Sequence, residues 1–319
     1  MRVTRIVFFG TPEFASATLN ALSSASLMEV VAVVTAPDKP SGRGQHTTSS
    51  HVSITSENLG LNVFKPRNLK NTDFLNALKA LQADLFVVVA FRMLPRVVWE
   101  MPPLGTFNVH ASLLPQYRGA APIQWAISNG ESETGVTTFL LNEQIDEGSI
   151  LLQETCLIEP NETISSLYAR LMAIGSKLAV RTVLALIQEK CVPKPQIFTH
   201  NHRLAPKINS EFSELERLSN LTEIHHRIRA CDSFPGASLA LVGSPNLRIK
   251  VFGSEILKHC NSESYNDPIE LIISKESIHL SQGKGLLKIN EVQWPGKRKM
   301  ASTDFLRGFR SRGKYTIRR

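Results

Sequence analysis

The chain has 319 residues, of which 42% are hydrophobic and 20% are charged, and its formal net charge is +8. This length is enough for two domains of ordinary size, and the composition is that of a globular protein with a substantial core. The sequence contains no run of about 18 apolar residues, so we expect no membrane span. Its start becomes polar too quickly for a signal peptide, and we expect a cytoplasmic protein.

Strand-like and helix-like patterns alternate in the first half of the chain. The strand-like runs are RIVFFG, EVVAVVTAP, LNVF, ADLFVVVAF and GTFNVH, and the helical ones are TPEFASATLNALSSA and TDFLNALKALQ. This alternation predicts a parallel sheet with helices on both faces. Two further strands, TGVTTFLLN and GSILLQETCLI, enclose the loop EQIDEG, and a long amphipathic helix is predicted over residues 163–189.

The pattern breaks at residues 193–209, where three prolines interrupt a stretch without clear periodicity. This stretch is the predicted linker between a first domain, residues 1–192, and a second domain, residues 210–319. Beyond the linker, one helical segment is followed by five short strand-like runs in about a hundred residues, which is typical of a small β-barrel.

The positive charge belongs to one end of the chain. Residues 1–206 carry 17 basic and 16 acidic side chains, whereas residues 207–319 carry 19 and 12. Of the last 23 residues, nine are basic and one is acidic. This asymmetry predicts a polyanionic partner for the C-terminal part, and the alternative is a solvated basic tail that serves solubility.

The four cysteines, Cys156, Cys191, Cys231 and Cys260, are far apart in the sequence and form no CxxC pair. Isolated cysteines of this kind favour neither a zinc site nor a disulfide framework. We therefore expect reduced thiols and no bound metal ion.

Two polar residues, Asn108 and His110, end the strand GTFNVH. Side chains two apart on a strand point to the same face, and Pro115, Gly119 and Pro122 make the next stretch a loop. Two polar groups that face a loop at a strand end are the usual geometry of a site in an open α/β sheet. The alternative is a structural histidine beside a turn-forming asparagine.

Two other loops contain candidate residues. Arg43 lies between two glycines in the polar loop PDKPSGRGQHTTSSH, where its guanidinium would suit a phosphate, although the stretch is equally consistent with a plain surface loop. Asp146 lies in EQIDEG, where an aspartate before a turn glycine is usually turn chemistry. A dinucleotide or P-loop site is not indicated, because FFGTPEF has a single glycine.

Taken together, FGTPEFA, PDKPSGRG, FNVHASLLPQYRGAAPIQWAI and DEGSIL occur in an order and at spacings that resemble the methionyl-tRNA formyltransferase family over essentially the whole chain. The H-x-SLLP-x-YRGAAPI segment is very specific to folate-dependent formyl transfer. The resemblance implies an α/β, Rossmann-like formyltransferase domain followed by a small OB-like β-barrel domain that helps to hold tRNA. It implies formyl transfer from 10-formyltetrahydrofolate, a co-substrate, to the amino group of initiator methionyl-tRNA in translation initiation.

The resemblance also implies roles for particular residues. Asn108, His110 and Asp146 match the family's catalytic trio. The implied folate contacts are Ser112, Leu113, Leu114, Pro115, Ala90, Phe91 and Met93. The candidates for tRNA binding are Arg43 in the loop, Lys207 beside the linker, and Arg310 and Arg312 in the basic tail. No obligate protein partner is implied.

The sequence departs from the family pattern in three places. The opening of the second domain, APKINSEFSELERLSN, lacks the usual IDW-like stretch, which leaves Lys207 as the linker contact. The loop after GRG continues as QHTTSSHVS rather than as a stretch rich in lysine and proline, so we expect a weaker grip on the acceptor stem. The segment AFRMLP is one residue shorter than the more familiar AYGxxLP form.

Three other functions are open at this point. A formyltransferase for a small amine such as glycinamide ribonucleotide, or a folate hydrolase, would share the trio, and a nucleic-acid-binding module with a decayed catalytic domain would share the barrel. The C-terminal part with its excess of positive charge disfavours the first two, since neither reaction needs it. The intact trio disfavours the third.

Overall fold

The structure is a computed structural model that describes residues 2–41, 46–241, 244–260, 265–309 and 313–317. The chain forms two compact units. The first comprises residues 1–119, 134–156 and 169–204, and the second comprises residues 120–133, 157–168 and 205–319. The domain boundaries placed at 192 and 210 from the sequence stay a prediction.

The first two thirds of the chain contain short strands and helices in alternation. The strands are β1 (Thr4–Gly10), β2 (Met28–Val34), β3 (Lys39–Ser41), β4 (His46–Thr48), β5 (Val63–Phe64), β6 (Leu85–Val89), β7 (Thr106–His110), β8 (Arg118–Gly119), β9 (Glu133–Leu140), β10 (Ile150–Leu157) and β11 (Leu204–Ala205). The helices are α1 (Glu13–Ser23), α2 (His51–Asn58), α3 (Thr72–Ala80), α4 (Arg96–Trp99), α5 (Pro122–Ser128) and α6 (Ile164–Ile187).

Seven of these strands form one sheet in the order β10-β9-β7-β6-β1-β2-β5. Five neighbouring strands of this sheet, β5, β2, β1, β6 and β7, pair in parallel, as the alternation predicts. β9 pairs antiparallel to β7, so the sheet is mixed at this edge, where the sequence predicted two strands around a loop without giving their direction.

Alternate residues of the central strand β1 face opposite sides of the sheet, as strand geometry requires. Val7 and Phe9 belong to a buried cluster with Phe74 and Leu78 of α3 and Val98 of α4. Burying a side chain of this size contributes about 1.5–3 kcal/mol to folding. The apolar runs in the sequence therefore correspond to strands buried beneath helices.

The order of strands reverses at β1, because β2 and β5 lie on one side of it and β6 and β7 on the other. The carboxyl ends of β1, β6 and β7, at Gly10, Val89 and His110, consequently lie along the same edge of the sheet. In open α/β sheets this edge is where ligands bind.

The second unit is dominated by one antiparallel sheet. Its strands are β12 (Ala237–Leu241), β13 (Ser244–Lys258), β14 (Glu270–Ile273), β15 (Ile278–Gln282), β16 (Gly285–Gln293), β17 (Met300–Ala301) and β18 (Gly313–Thr316), and its helices include α7 (Leu221–Cys231) and α8 (Ser302–Gly308). The order is β12-β13-β16-β15-β14-β18, with β17 on β16, and the sheet curls into a half-barrel. The five predicted strands correspond to β12–β16, whereas β17, α8 and β18 in the basic tail were not predicted.

Earlier parts of the chain complete the second unit. Trp125 of α5 meets Phe212 edge-on, with ring centroids 4.8 Å apart. Arg229 of α7 is buried and donates to the backbone carbonyl of Glu162 at 3.1 Å, within the segment 157–168. The second unit is therefore not one continuous stretch of sequence.

The cysteines are free thiols, as predicted. Burial raises the pKa of the Cys231 thiol to about 12, so this side chain is an inert part of the core. Among the helices of the described residues, none has both the length and the hydropathy needed to cross a bilayer.

Helix α7 buries a histidine. His225 is 3% exposed, and its Nδ1 lies 2.8 Å from the hydroxyl of Ser254. Burial, followed by the nearby Arg229, lowers the pKa of His225 from 6.5 to about 4, and the same two causes lower the pKa of His226 to about 4. Both rings are therefore neutral in the folded protein at neutral pH.

We expect acid to destabilise the second unit. Between the unfolded pKa of 6.5 and the folded value of about 4, the unfolded chain binds more protons, so the free energy of unfolding falls as the pH falls. For His225 alone the loss at about pH 5 is on the order of 2 kcal/mol. Urea unfolding at about pH 7.5 and at about pH 5 measures this loss in the free energy of unfolding. His225→Gln should flatten the dependence, and an equally steep dependence in that variant would contradict this origin.

Candidate active site

The imidazole of His110, the last residue of β7, is 6% exposed and faces an oxygen atom at each nitrogen. Nε2 lies 2.9 Å from the carbonyl oxygen of Tyr117, and because a carbonyl only accepts, Nε2 carries the donated proton. Nδ1 lies 3.7 Å from Oδ2 of Asp146. This separation is longer than a hydrogen bond, so Nδ1 stays beside the carboxylate and remains available to a substrate.

Asp146 is held in the loop between β9 and β10 by its own carboxylate. Oδ2 accepts a hydrogen bond of 2.9 Å from the backbone N–H of Gly119. The backbone of Asp146 is left-handed, with φ of 56°, a conformation that costs a non-glycine residue about 1–3 kcal/mol and is found at functional sites. The carboxylate thus links the loop after β7 to the loop after β9.

Asn108 lies two residues before His110 on β7 and shares its face. It pairs with Val88 of β6 on one side and with Phe139 of β9 on the other, so it lies inside the sheet. It is half-buried, and its side-chain amide makes no hydrogen bond to another described residue. Such an amide offers two N–H donors to a ligand oxygen.

The turn SLLP after β7 is held by side chains from the next two strands. Thr137 of β9 donates to the carbonyl of Ser112 at 2.7 Å and accepts from the N–H of Leu114 at 3.1 Å. Gln153 of β10 donates to the carbonyl of Leu114 at 2.9 Å. The hydroxyl of Ser112 itself donates to the carbonyl of Gln116 at 2.6 Å, so it shapes the turn.

Two features hold the backbone of the loop that carries Asp146 in its tight turn. A Cβ atom at Gly148 would lie 1.6 Å from the carbonyl oxygen of Leu140, so no side chain fits at this position. The Nε2 of Gln196 donates to the carbonyls of Asp146 and Gly148, both at 2.8 Å.

Sequence reasoning missed these supporting residues. Thr137 and Gln153 are ordinary polar residues within strand patterns, and Gln196 lies in the predicted linker. The only available signal was an indirect one, since each occurs next to a stretch whose backbone has to be held in a turn.

A cleft of about 540 Å³ opens in the first unit beside the loop of Asp146. Met93, 68% exposed, and Trp99 contribute apolar surface, and Asn142 belongs to the loop itself. Arg67 and Lys70 also line the cleft and give it positive charge.

The other predicted folate contacts do not line this cleft. Ala90 has a left-handed backbone, with φ of 46°, at the carboxyl end of β6. The ring of Phe91 packs edge-on to Phe9, with centroids 5.9 Å apart. Within SLLP, Leu114 is buried, and Leu113 and Pro115 are half-buried.

The candidate tRNA contacts are only in part described. Lys207 is exposed on the second unit. Arg43, Arg310 and Arg312 lie outside the described residues. Within the described ranges, no group of three or more His, Cys, Asp or Glu side chains is placed to hold a metal ion.

The first unit thus has an open α/β sheet with Asn108 and His110 at the end of β7 and Asp146 in the loop between β9 and β10, and a curled antiparallel sheet dominates the second unit. Comparison with known proteins gives the class, which is that of the formyltransferases. Residues 4–183 match the formyl transferase family, and residues 207–310 match the formyl transferase C-terminal domain. The chain belongs to the formyl transferase family. The predicted fold class is confirmed.

Curated relatives match along nearly the entire chain. The methionyl-tRNA formyltransferase of Flavobacterium psychrophilum is 40% identical over 311 residues, which cover 97% of both chains. That of Porphyromonas gingivalis is 39% identical over 310 residues, covering 96% of this chain and 95% of the relative.

Solved structures share the fold at lower identity. An N-formyltransferase from Helicobacter canadensis, in complex with folinic acid and dTDP-3-aminofucose, has a TM-score of 0.64 and 18% identity, and the match covers 94% of this chain and 100% of that one. HypX from Aquifex aeolicus, in complex with tetrahydrofolic acid, has a TM-score of 0.59 and 18% identity, with 99% and 51% covered.

Proposed function

We propose that this chain transfers the formyl group of 10-formyltetrahydrofolate to the free amino group of initiator methionyl-tRNA, in the cytoplasm, in support of translation initiation. The observation that carries the proposal is the 40% identity, over 97% of both chains, to an enzyme named for this reaction. The match includes the second unit, which formylation of a small amine such as glycinamide ribonucleotide does not need. The C-terminal excess of basic residues supports a polyanionic acceptor.

The reaction places its demands on a few atoms. The amine nitrogen forms a bond to the formyl carbon, and negative charge develops on the formyl oxygen. The bond from that carbon to N10 of the folate then breaks, and the proton lost by the amine ends on N10. The site therefore needs donors for an oxyanion and a group that relays one proton.

Asn108, His110 and Asp146 fit these demands. The side-chain amide of Asn108 and, when the imidazole carries a proton on both nitrogens, Nδ1–H of His110 are the donors to the oxyanion. The Asp146 carboxylate, 3.7 Å from Nδ1, orients the imidazole and relays the amine proton directly or through water.

The cleft of about 540 Å³ beside the Asp146 loop has the size of a small-molecule site, and we propose it for the folate co-substrate. Met93 and Trp99 offer apolar surface to a flat ring system, and Arg67 and Lys70 complement the carboxylates of the folate tail. Ala90 and Phe91 at the end of β6, and residues 112–115 after β7, would contact the part of the folate nearest to the trio.

For the tRNA we propose Lys207, Arg43 and the basic tail, including Arg310 and Arg312, as contacts with the sugar–phosphate backbone. Basic side chains supply the affinity of such contacts and make it depend on salt. Small β-barrels with positive charge are a common platform for this role.

An acceptor assay tests the proposal. The purified chain is given 10-formyltetrahydrofolate and, in parallel, initiator methionyl-tRNA, free methionine or glycinamide ribonucleotide. Formylation of the tRNA alone is the expected result. Formylation of glycinamide ribonucleotide in preference to the tRNA, or hydrolysis of the folate without an acceptor, would replace the proposed function.

Removing either oxyanion donor should slow turnover. We expect Asn108→Ala and His110→Ala each to lower kcat by on the order of a hundredfold or more, because each deletes one donor that acts in the transition state. The KM for both substrates should change much less. Steady-state kinetics measures both quantities, and near wild-type turnover in either variant would remove that residue from the trio.

Asp146→Asn isolates the charge of this carboxylate. The asparagine oxygen still accepts the N–H of Gly119, so the loop keeps its shape, whereas the proton acceptor beside His110 is lost. We expect kcat to fall by roughly a hundredfold or more with an unchanged thermal midpoint. Normal activity would return Asp146 to the role of a turn residue.

Neutralising the basic tail should weaken tRNA binding. The variant replaces Arg310, Arg312, Lys314, Arg318 and Arg319 by Gln. Affinity for methionyl-tRNA should fall, and each lost phosphate contact should reduce the slope of log affinity against log salt by roughly 0.7–0.9. Salt-titrated binding measures the slope, and kcat at saturating tRNA should persist.

A matched control removes five positive charges from exposed residues of the first unit: Arg2, Lys79, Lys177, Arg181 and Lys190. It should leave the slope near that of the wild type. Equal slopes in wild type, tail variant and control would make the tail a solvated face.

A further inference from the structure

The chain after α6 runs alongside both loops that hold the candidate trio. We call residues 194–203 the strap; in the sequence this stretch reads as part of the linker. At its start, Lys194 and Ile150 of β10 exchange two backbone hydrogen bonds of 2.8 Å each. The strap is thereby fixed at the carboxyl side of the Asp146 loop before its side chains reach that loop.

Gln196 makes the central contact of the strap. Its single amide nitrogen donates both hydrogens, one to the carbonyl of Asp146 and one to the carbonyl of Gly148, at 2.8 Å each. In the flipped orientation, Oε1 would face two carbonyl oxygens, which also only accept. The two acceptors therefore fix the orientation of the amide, and one side chain holds the backbone at two points of the turn.

This turn has reasons to move unless it is held. Asp146 has the left-handed φ of 56°, which is unfavourable for a side chain with a Cβ atom. Its carboxylate has to stay 3.7 Å from His110 Nδ1 while it accepts the N–H of Gly119. A rotation of the backbone at Asp146 would alter both distances together.

The end of the strap holds the opposite side of the imidazole. The carbonyl of Arg203 accepts the N–H of Tyr117 at 2.7 Å, and the N–H of Arg203 donates to Oε1 of Gln116 at 2.8 Å. Tyr117 is the residue whose carbonyl accepts from Nε2 of His110. One strap thus supports the oxygen atoms that face both nitrogens of the ring.

We infer that Gln196 is a positioning residue for Asp146, and that the strap is a working part of the active site. The inference rests on the proposed function, since it takes Asp146 as catalytic. Gln196 acts through the loop backbone and does not touch the reacting atoms.

Gln196→Met tests the inference, because methionine has nearly the same length and no N–H donor. We expect kcat for formyl transfer to fall at least about tenfold, with KM for both substrates within about twofold of the wild type. In Gln196→Glu, which places oxygen atoms against the two carbonyl oxygens, kcat should be lower still. Gln188→Met, at an exposed glutamine just after α6, is the matched control and should keep the wild-type kcat.

Hydrogen–deuterium exchange gives a second readout that needs no substrate. In Gln196→Met, we expect faster exchange in peptides covering residues 142–149 and at the amide of Gly119, with unchanged exchange in the strands β1 and β6. Gln188→Met should match the wild type throughout.

The outcomes separate this inference from the proposed function. If the wild-type chain does not formylate methionyl-tRNA, the proposed function is wrong. Faster hydrogen exchange in Gln196→Met that is confined to the Asp146 loop would still show that the strap holds this loop. Wild-type kcat and exchange in both Gln196 variants would overturn the inference. Exchange that rises across the whole first unit, with a lower thermal midpoint, would also overturn it, since Gln196 would then serve general stability.

Discussion

The site depends on two oxygen atoms that face the ring of His110, one from the Tyr117 backbone and one from the Asp146 carboxylate. The ring itself is placed by β7, a strand inside the sheet, whereas both oxygen atoms belong to loops. A loop holds an atom to a fraction of an ångström only if its own backbone is fixed. Much of the hydrogen bonding around the site serves this purpose, from Thr137 under the turn after β7 to the close approach of Gly148 to its neighbouring strand.

Left-handed backbone recurs at three residues along this edge of the sheet: Ala90, Tyr117 and Asp146. Each costs about 1–3 kcal/mol, and such residues persist only where the surroundings over-determine them. Here the surroundings are the buried strands β1, β6 and β7, which are stabilised by the burial of apolar side chains away from the active site. The rigid sheet and the unfavourable loop conformations are parts of one arrangement, since donors fixed in advance need no reorganisation when charge develops.

The sequence predicted much of this molecule for identifiable reasons. Strand periodicity located β1, β2, β5, β6 and β7, whereas the short strands β3 and β4 lie in a stretch predicted as a polar loop. The HASLLP segment pointed to the end of β7 as the site. The proximity of His110 and Asp146 follows from strand order, which the resemblance implied and periodicity alone did not contain. The run TGVTTFLLN predicted β9 as a strand, but its antiparallel direction was left open, because strand periodicity carries no information on direction. Gln196 was missed because a sequence without periodicity does not show whether the segment is held by hydrogen bonds in the folded protein. The catalytic roles stay proposals.

The interleaved composition of the second unit has a consequence for how the protein is made. Residues 120–133 and 157–168 leave the ribosome long before residues 205–231, with which they pack. During synthesis, Trp125 and the carbonyl groups near Glu162 stay exposed to solvent until their partners in the last third of the chain have emerged. Domains usually fold in order from the amino terminus, but here the early part cannot finish alone. A nascent chain that stalls before residue 205 would present apolar surface to chaperones, even with the sheet of the first unit already formed.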